Sequence, residues 1–286
     1  MSADGAEIFE VGPRDGLQNE ARAIPAAEKI ALIDALSACG FRRIEAASFV
    51  SPRWVPQMAD GAEVLAGIAR VPGTRYAALT PNLKGYDRAR AAGADEVAIF
   101  ASASEGFSRA NLNATVAESL ERFAPVAEAA ARDGIRMRGY VSCVVECPFD
   151  GPTPPAAAAR VAAALRDLGA YEISLGDTIG RGTPEGVDAM LAAVLGEVPA
   201  ARLAGHFHDT GGRALENVDV ALGRGLRVFD AAAGGLGGCP YAPGAAGNVA
   251  TEAVLAHLEA RGHATGLDAA GVARAGRMAR AMRAGA

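Results

Sequence analysis

Residues 172–208 read EISLGDTIGRGTPEGVDAMLAAVLGEVPAARLAGHFH and contain one full strand–helix–strand step. Glu172–Gly176 and Ala204–His208 are short apolar runs of strand length. Between them, Pro184–Leu195 carries apolar residues at helical spacing. The step recurs in both directions. Further strands are expected at Ile8–Val11, Arg43–Ser48, Arg75–Leu79, Glu96–Ala101, Met137–Cys143 and Val228–Ala232. Helical patterns fill Ala26–Cys39, Met58–Ala69, Lys84–Ala92, Val116–Asp133, Pro155–Leu168 and Gly212–Arg224. Leu32, Ala35, Leu36 and Cys39 form one apolar stripe. Gly40, Gly93, Gly134 and Gly169 each stand just past a helix, where a left-handed cap costs little. Eight repeats without a break in composition predict an α/β chain, a (β/α)8 TIM barrel forming one domain over residues 1–286. Val249–Glu259 supplies the last helix and Leu267–Met282 an extra C-terminal helical segment. Alternation alone leaves a doubly wound sheet open as the other arrangement.

The bulk numbers narrow the class. Of the 286 residues, 50% are hydrophobic and 21% charged, enough apolar surface for a large ordered core. Apolar stretches break well before the ~18–20 residues of a membrane span, so no membrane partner is expected. Met1–Glu7 holds Asp4 and Glu7 and no basic or apolar block, which argues against a leader and for the cytoplasm. A net charge of -5 without a basic run disfavours nucleic acid. The cysteines Cys39, Cys143, Cys147 and Cys239 need no disulfide framework. Cys143 and Cys147 lack a nearby second pair to complete a zinc site, so they read as structural. With only Lys29 and Lys84 present, a lysine Schiff base is a weak mechanism.

Active-site groups of such a barrel lie at the C-terminal ends of its strands, and polar residues collect there. His206 and His208, two of only four histidines, sit at i, i+2 on a strand and face the same way. Imidazoles with a carboxylate and an amide oxygen make a mixed N/O set that suits Mg²⁺ or Mn²⁺; two barrel-interior histidines satisfied by hydrogen bonds are the other reading. Asp15, in a glycine-flanked loop at the same end, favours the metal. Asp209 has the wrong parity and reads as a helix cap or an outer partner. Arg14 suits an enolate clamp, or a structural ion pair with Glu45 or Asp177. Cys239 stands among Gly234, Gly235, Gly237, Gly238, Gly244 and Gly247, as a thiol acid/base under a mobile lid or as an inert residue in a phosphate-cradling loop.

Residues 11–20 (VGPRDGLQNE), 44–52 (IEAASFVSP), 175–180 (LGDTIG), 206–210 (HFHDT) and 235–242 (GLGGCPYA) together resemble the hydroxymethylglutaryl-CoA lyase family, from about Phe9 to about Leu258. The cysteine loop is the specific part. The Arg-Asp and His-x-His elements are shared with a wider metallolyase TIM-barrel superfamily that includes condensing synthases and aldolases. The resemblance implies metal ligands at Asp15, His206, His208 and Asn248. It implies that Arg14 supports an enolate, that Glu45 assists beside the metal, and that Cys239 moves a proton. Ser48, Asn111, Tyr140, Ser174 and Asp177 match positions on the substrate side.

The implied reaction is a divalent-metal-dependent retro-Claisen cleavage of 3-hydroxy-3-methylglutaryl-CoA to acetoacetate and acetyl-CoA, a step of leucine degradation. The acyl-CoA is the expected partner, a homodimer the expected assembly, and Asp15 or His206 the expected base. Ala21 stands where the family commonly has Lys, and Gly211-Gly212-Arg213 where Tyr-Gly-Gln is usual. Ala233-Gly234-Gly235 replaces a commoner Val-Ala-Gly. These departures keep a lyase for a longer 3-hydroxyglutaryl-CoA in view. A condensing synthase predicts a C-terminal extension and no cysteine loop. A catalytically silent acyl-CoA binder predicts no bound metal.

Overall fold

Inward and outward side chains alternate along every repeat, and that alternation fixes where the chemistry can lie. The computed structural model describes residues 5–239 and 242–284, and it leaves the side chains of residues 238–246 and 284 outside the described set. Eight parallel strands close in sequence order: β1 (Glu7–Glu10), β2 (Arg43–Ser48), β3 (Arg75–Leu79), β4 (Glu96–Ser102), β5 (Arg136–Ser142), β6 (Glu172–Asp177), β7 (Leu203–Phe207) and β8 (Val228–Ala231), with β8 pairing back onto β1. Closure excludes the doubly wound sheet.

The helices α1 (Ala26–Ser37), α2 (Gly61–Gly67), α3 (Leu83–Ala91), α4 (Glu105–Leu112), α5 (Val116–Asp133), α6 (Pro155–Asp167), α7 (Pro184–Leu195), α8 (Ala214–Gly223) and α9 (Thr251–Ala260) surround the barrel, and α10 (Ala269–Ala284) follows. Val97, Ile99 and Ala101 of β4, with Ile173 and Leu175 of β6, point outward into the main core beside Leu32, Leu36, Leu165 and Leu191. Gly40, Gly93, Gly134 and Gly169 all adopt positive φ, from 69° to 96°, as their helix-ending positions require. α5 starts in a capping box between Thr115 and Glu118.

The inward side of the strands is unusual for such a barrel, whose interior is commonly branched aliphatic. Here Phe9, Val11, Ala77, Ala204 and Val228 share it with Glu45, Arg138, Glu172 and Asp230, all buried. The Arg138 guanidinium lies between the rings of Phe9 (4.2 Å) and Tyr140 (5.0 Å). Two short hairpins, Glu146–Cys147 with Gly151–Pro152 and Gly238–Cys239 with Ala242–Ala246, rise after β5 and β8. Cys143 and Cys147 are buried free thiols, consistent with a packing role, and Cys147 Sγ accepts the N–H groups of Phe149 and Asp150. Among the described residues, no helix is long and apolar enough to cross a membrane.

Candidate functional site

After β1 the chain makes a single π-helical turn over Gly12–Gly16, with Gly16 N–H donating to Val11 O at 3.3 Å. Such turns concentrate at functional sites. Gly12 is required because a Cβ there would stand 2.6 Å from Glu10 Oε1. The turn delivers Arg14 and Asp15 side by side to the barrel mouth. Arg14 Nε donates to Glu45 Oε2 at 2.7 Å and Nη1 to Asp15 Oδ1 at 2.7 Å. Tyr140 Oη donates to the same Glu45 oxygen at 3.0 Å, and the guanidinium lies 5.4 Å from the Tyr140 ring centre. Burial disfavours the charged form of Arg14, but Glu45 and Asp15 outweigh it and hold the guanidinium more firmly protonated than usual. Burial raises the Glu45 carboxyl, with Arg14 offsetting only part. The ion-pair reading of Arg14 is therefore correct as geometry, with Glu45 as partner rather than Asp177.

His206, on the inward side of β7, and His208, one residue past that strand, present rings 5.2 Å apart between centroids. One ligand atom each from Asp15, His206 and His208 fall within 4.8 Å of one another. Asn248 bridges to His208 through the backbone, and its Nδ2 donates to Asp15 Oδ2 at 2.8 Å, which sets the amide beside the cluster. Burial works to raise Asp15, but Arg14, His206 and His208 hold it below the usual carboxylate range. Burial, then His206, push His208 down to about 4, so its imidazole is neutral at pH 7. Among the described residues its Nδ1 is buried without a hydrogen-bond partner, a costly state that a cation at that nitrogen would offset. A neutral imidazole, a second imidazole, an ionised carboxylate and an amide oxygen fit a divalent cation that prefers mixed N/O donors. Asp209 is turned away, and its Oδ1 accepts the Ala214 N–H at the start of α8.

The remaining expected residues divide. Tyr140 joins the cluster. Ser174 Oγ donates inward to Asp230 at 2.7 Å, and Ser48 Oγ accepts the Val50 N–H at 3.3 Å. The Asp177 carboxylate accepts the N–H groups of Arg181 and Gly182, anchoring the loop after β6. Asn111 is exposed on α4, with no hydrogen bond to the cluster among the described residues. The side chain of Cys239 lies outside the described residues. Asp230, Arg138 and Glu10 were missed by the sequence reading. For Asp230 and Arg138 the signal was a charged residue at an inward strand position. Glu10 lies on the outward side of β1, in phase with Ile8, and its signal was a charge on the side that otherwise feeds the main core.

Three carboxylates hold the base of the glycine-rich loop. Glu10 Oε1 accepts Ala233 N–H at 3.0 Å, Glu252 Oε2 accepts Gly234 N–H at 2.9 Å, and Glu20 Oε1 accepts Gly237 N–H at 3.4 Å. Arg280 of α10 pairs with Glu252 at 2.9 Å and Arg283 with Glu20 at 3.2 Å, so the extra helix braces this loop.

Comparison with known proteins converges on one family. The HMGL-like family matches residues 6–279. A 3-hydroxy-3-isohexenylglutaryl-CoA/hydroxy-methylglutaryl-CoA lyase of Pseudomonas aeruginosa is 56% identical over 261 residues, covering 91% of this chain and 87% of that protein. The crystal structure of an HMG-CoA lyase from Brucella melitensis superposes with a TM-score of 0.98 at 62% identity, covering 98% of this chain and 99% of that one. An HMG-CoA lyase from Acinetobacter baumannii, in complex with coenzyme A and 3-methylmalate, superposes with a TM-score of 0.93 at 39% identity, covering 99% and 93%. With matches of this length lying over the barrel, the cluster at its mouth and the loop braced by α10, the chain belongs to the HMGL-like family.

Proposed function

We propose that this protein is a divalent-metal-dependent carbon–carbon lyase that cleaves 3-hydroxy-3-methylglutaryl-CoA to acetoacetate and acetyl-CoA. The observation that carries the reading is the convergence of Asp15, His206 and His208 within 4.8 Å, beside the Arg14–Glu45 pair. Relatives of 56% and 62% identity that are named for this activity support it. Asp15, His206 and His208, with Asn248, would hold a Mg²⁺ or Mn²⁺ ion, which would supply Lewis acidity to lower the pKa of the substrate's tertiary hydroxyl. Asp15 or His206 accepts the hydroxyl proton. As the C2–C3 bond breaks, its electron pair moves to the thioester enolate, while C3 becomes the ketone carbon of acetoacetate. Arg14, kept charged and aimed by Glu45 and Asp15, supports the enolate oxygen. Cys239 protonates the enolate carbon, giving acetyl-CoA. The loop braced by α10 excludes water from the enolate.

Purified protein with Mg²⁺ and the thioester should release acetoacetate in step with acetyl-CoA. Absence of both products with a metal-loaded protein would overturn the reading. A second reading, cleavage of thioesters with a longer 3-substituent, is favoured by the dual name of the Pseudomonas relative and by the apolar cluster of Leu79, Ala98 and Tyr140 with Val50 and Phe100 packed on it. A substrate panel separates the two. The same proposal has the barrel act as a single domain, in a homodimer, in the cytoplasm; light scattering tests the dimer.

A further inference from the structure

Asp230 sits on the inward side of β8, 2% exposed, and its carboxylate is saturated with donors. Oδ1 accepts Arg138 Nη2 at 2.7 Å. Oδ2 accepts Arg138 Nη1 at 3.0 Å and Ser174 Oγ at 2.7 Å, and it lies 3.2 Å from His206 Nδ1. Arg138 is itself fixed, with Nε on Glu172 at 2.7 Å and its plane between two aromatic rings. An ionised carboxylate can only accept hydrogen bonds. The ring nitrogen facing it must therefore carry the proton, and the acceptor's position is set by Arg138 and Ser174 rather than by the histidine. Tyr140 meets the same ring edge-on, 6.5 Å between centroids and 80° between planes.

We propose that Asp230 is a positioning residue: it holds His206 as the Nδ1–H tautomer and turns the unprotonated Nε2 toward Asp15 and His208. The two imidazoles are then held in different ways. His206 has a carboxylate on its Nδ1, whereas the Nδ1 of His208 has no hydrogen-bond partner among the described residues. A carboxylate behind a ligating imidazole fixes the ring and raises its basicity, and losing such a partner typically weakens metal affinity about 10–100-fold. The inference rests on the reading of His206 as a metal ligand.

Two measurements test it. In the unaltered, metal-free protein labelled with ¹⁵N-histidine, long-range ¹H–¹⁵N correlation in mildly alkaline buffer should show His206 protonated at Nδ1, the signal being assigned by its loss in His206→Gln. An Nε2–H tautomer overturns the proposal. Separately, Mn²⁺ binding followed by electron paramagnetic resonance should weaken about 10–100-fold in Asp230→Asn, and by no more than a few-fold in Ser174→Ala, which keeps the carboxylate. Folding is checked by circular dichroism. A folded Asp230→Asn that binds Mn²⁺ as tightly as the parent overturns the proposal. If Asp230→Asn does not fold, the tautomer in the parent protein decides. A parent protein that binds no Mn²⁺ refutes the metal reading instead, and the tautomer again decides the role of Asp230.

Discussion

Asn248 Nδ2 donates to Asp15 Oδ2 at 2.8 Å and to Leu236 O at 3.3 Å, so one amide joins the loop after β1 to the glycine-rich loop after β8. The amide is 4% exposed, so neither bond is readily replaced by water. Asn248→Ala should lose both ties and the amide oxygen together. Expected is a loss of metal affinity of about tenfold or more with a smaller drop in thermal stability. Isothermal titration with Mn²⁺ checks the first, and unchanged affinity would remove Asn248 from the ligand set.

Arg14→Lys separates charge from geometry. Lysine keeps the positive charge but carries its N–H groups on one nitrogen, so it lacks the rigid planar fork that reaches Glu45 from Nε and Asp15 from Nη1. Glu45 is fully buried, and its Oε1 has no hydrogen-bond partner among the described residues. Turnover should fall about 10²–10³-fold with metal binding retained. Steady-state kinetics with parallel metal analysis is the check; parent-like kcat would show that Arg14 serves the fold alone.

Cys239→Ala tests the proton-transfer role proposed for the loop. If the thiol delivers the proton, turnover should fall about 10²–10⁴-fold while Asp15, His206 and His208 still hold metal. Retained turnover would leave the loop as a lid only.

Much of this was legible in the sequence because it follows from local rules. Glycine past a helix and an apolar stripe need no tertiary information, and the i, i+2 spacing of His206 and His208 fixed their shared face. What was hidden depends on distant partners. Asp230 and Arg138 meet across 92 positions of sequence, so neither advertises its pairing. Asp177 was expected on the substrate side, yet its carboxylate is taken by N–H groups four and five residues on, a local turn that competes for a short acidic side chain. α4 was missed because its buried face is short, with Phe107 and Ser108 as its buried residues.

Glu10 gives a pH prediction. Its oxygens accept from Gly12 N–H, Ala233 N–H and Thr251 Oγ1. Burial nevertheless pushes its carboxyl from the ordinary 4.5 up to about 7, the hydrogen bonds from Thr251, Ala233 and Gly12 opposing it. The folded state therefore holds a proton that the unfolded chain releases near 4.5. The stability contributed is fully present below 4.5 and is lost as pH rises through about 7. Glu10→Gln can keep the acceptor oxygen for both N–H groups and offer its amide to Thr251. Relative to Glu10→Gln, the parent should lose stability on the order of 3 kcal/mol between these pH values. Urea unfolding at several pH values checks this, and a flat difference would show that Glu10 titrates normally.

Gly237 meets Asn248 and the turn after β1 by close packing. Its φ is +93°, and a Cβ there would stand 2.9 Å from Asn248 Nδ2 and 3.1 Å from Gly16 Cα. Gly237→Ala strains a left-handed backbone, at about 1–3 kcal/mol, and the new Cβ is relieved either by a local backbone shift or by pushing Asn248 off Asp15. The two outcomes differ in kind. Backbone strain alone lowers the melting temperature and leaves Mn²⁺ affinity unchanged. Displacement of Asn248 weakens Mn²⁺ as Asn248→Ala does, and the double variant should then be no weaker than either single one. The contact distances favour displacement, because the amide is the far end of a side chain while Gly16 is fixed backbone of the π-helical turn. Additive losses of Mn²⁺ affinity in the double variant would show that Gly237 and Asn248 act independently.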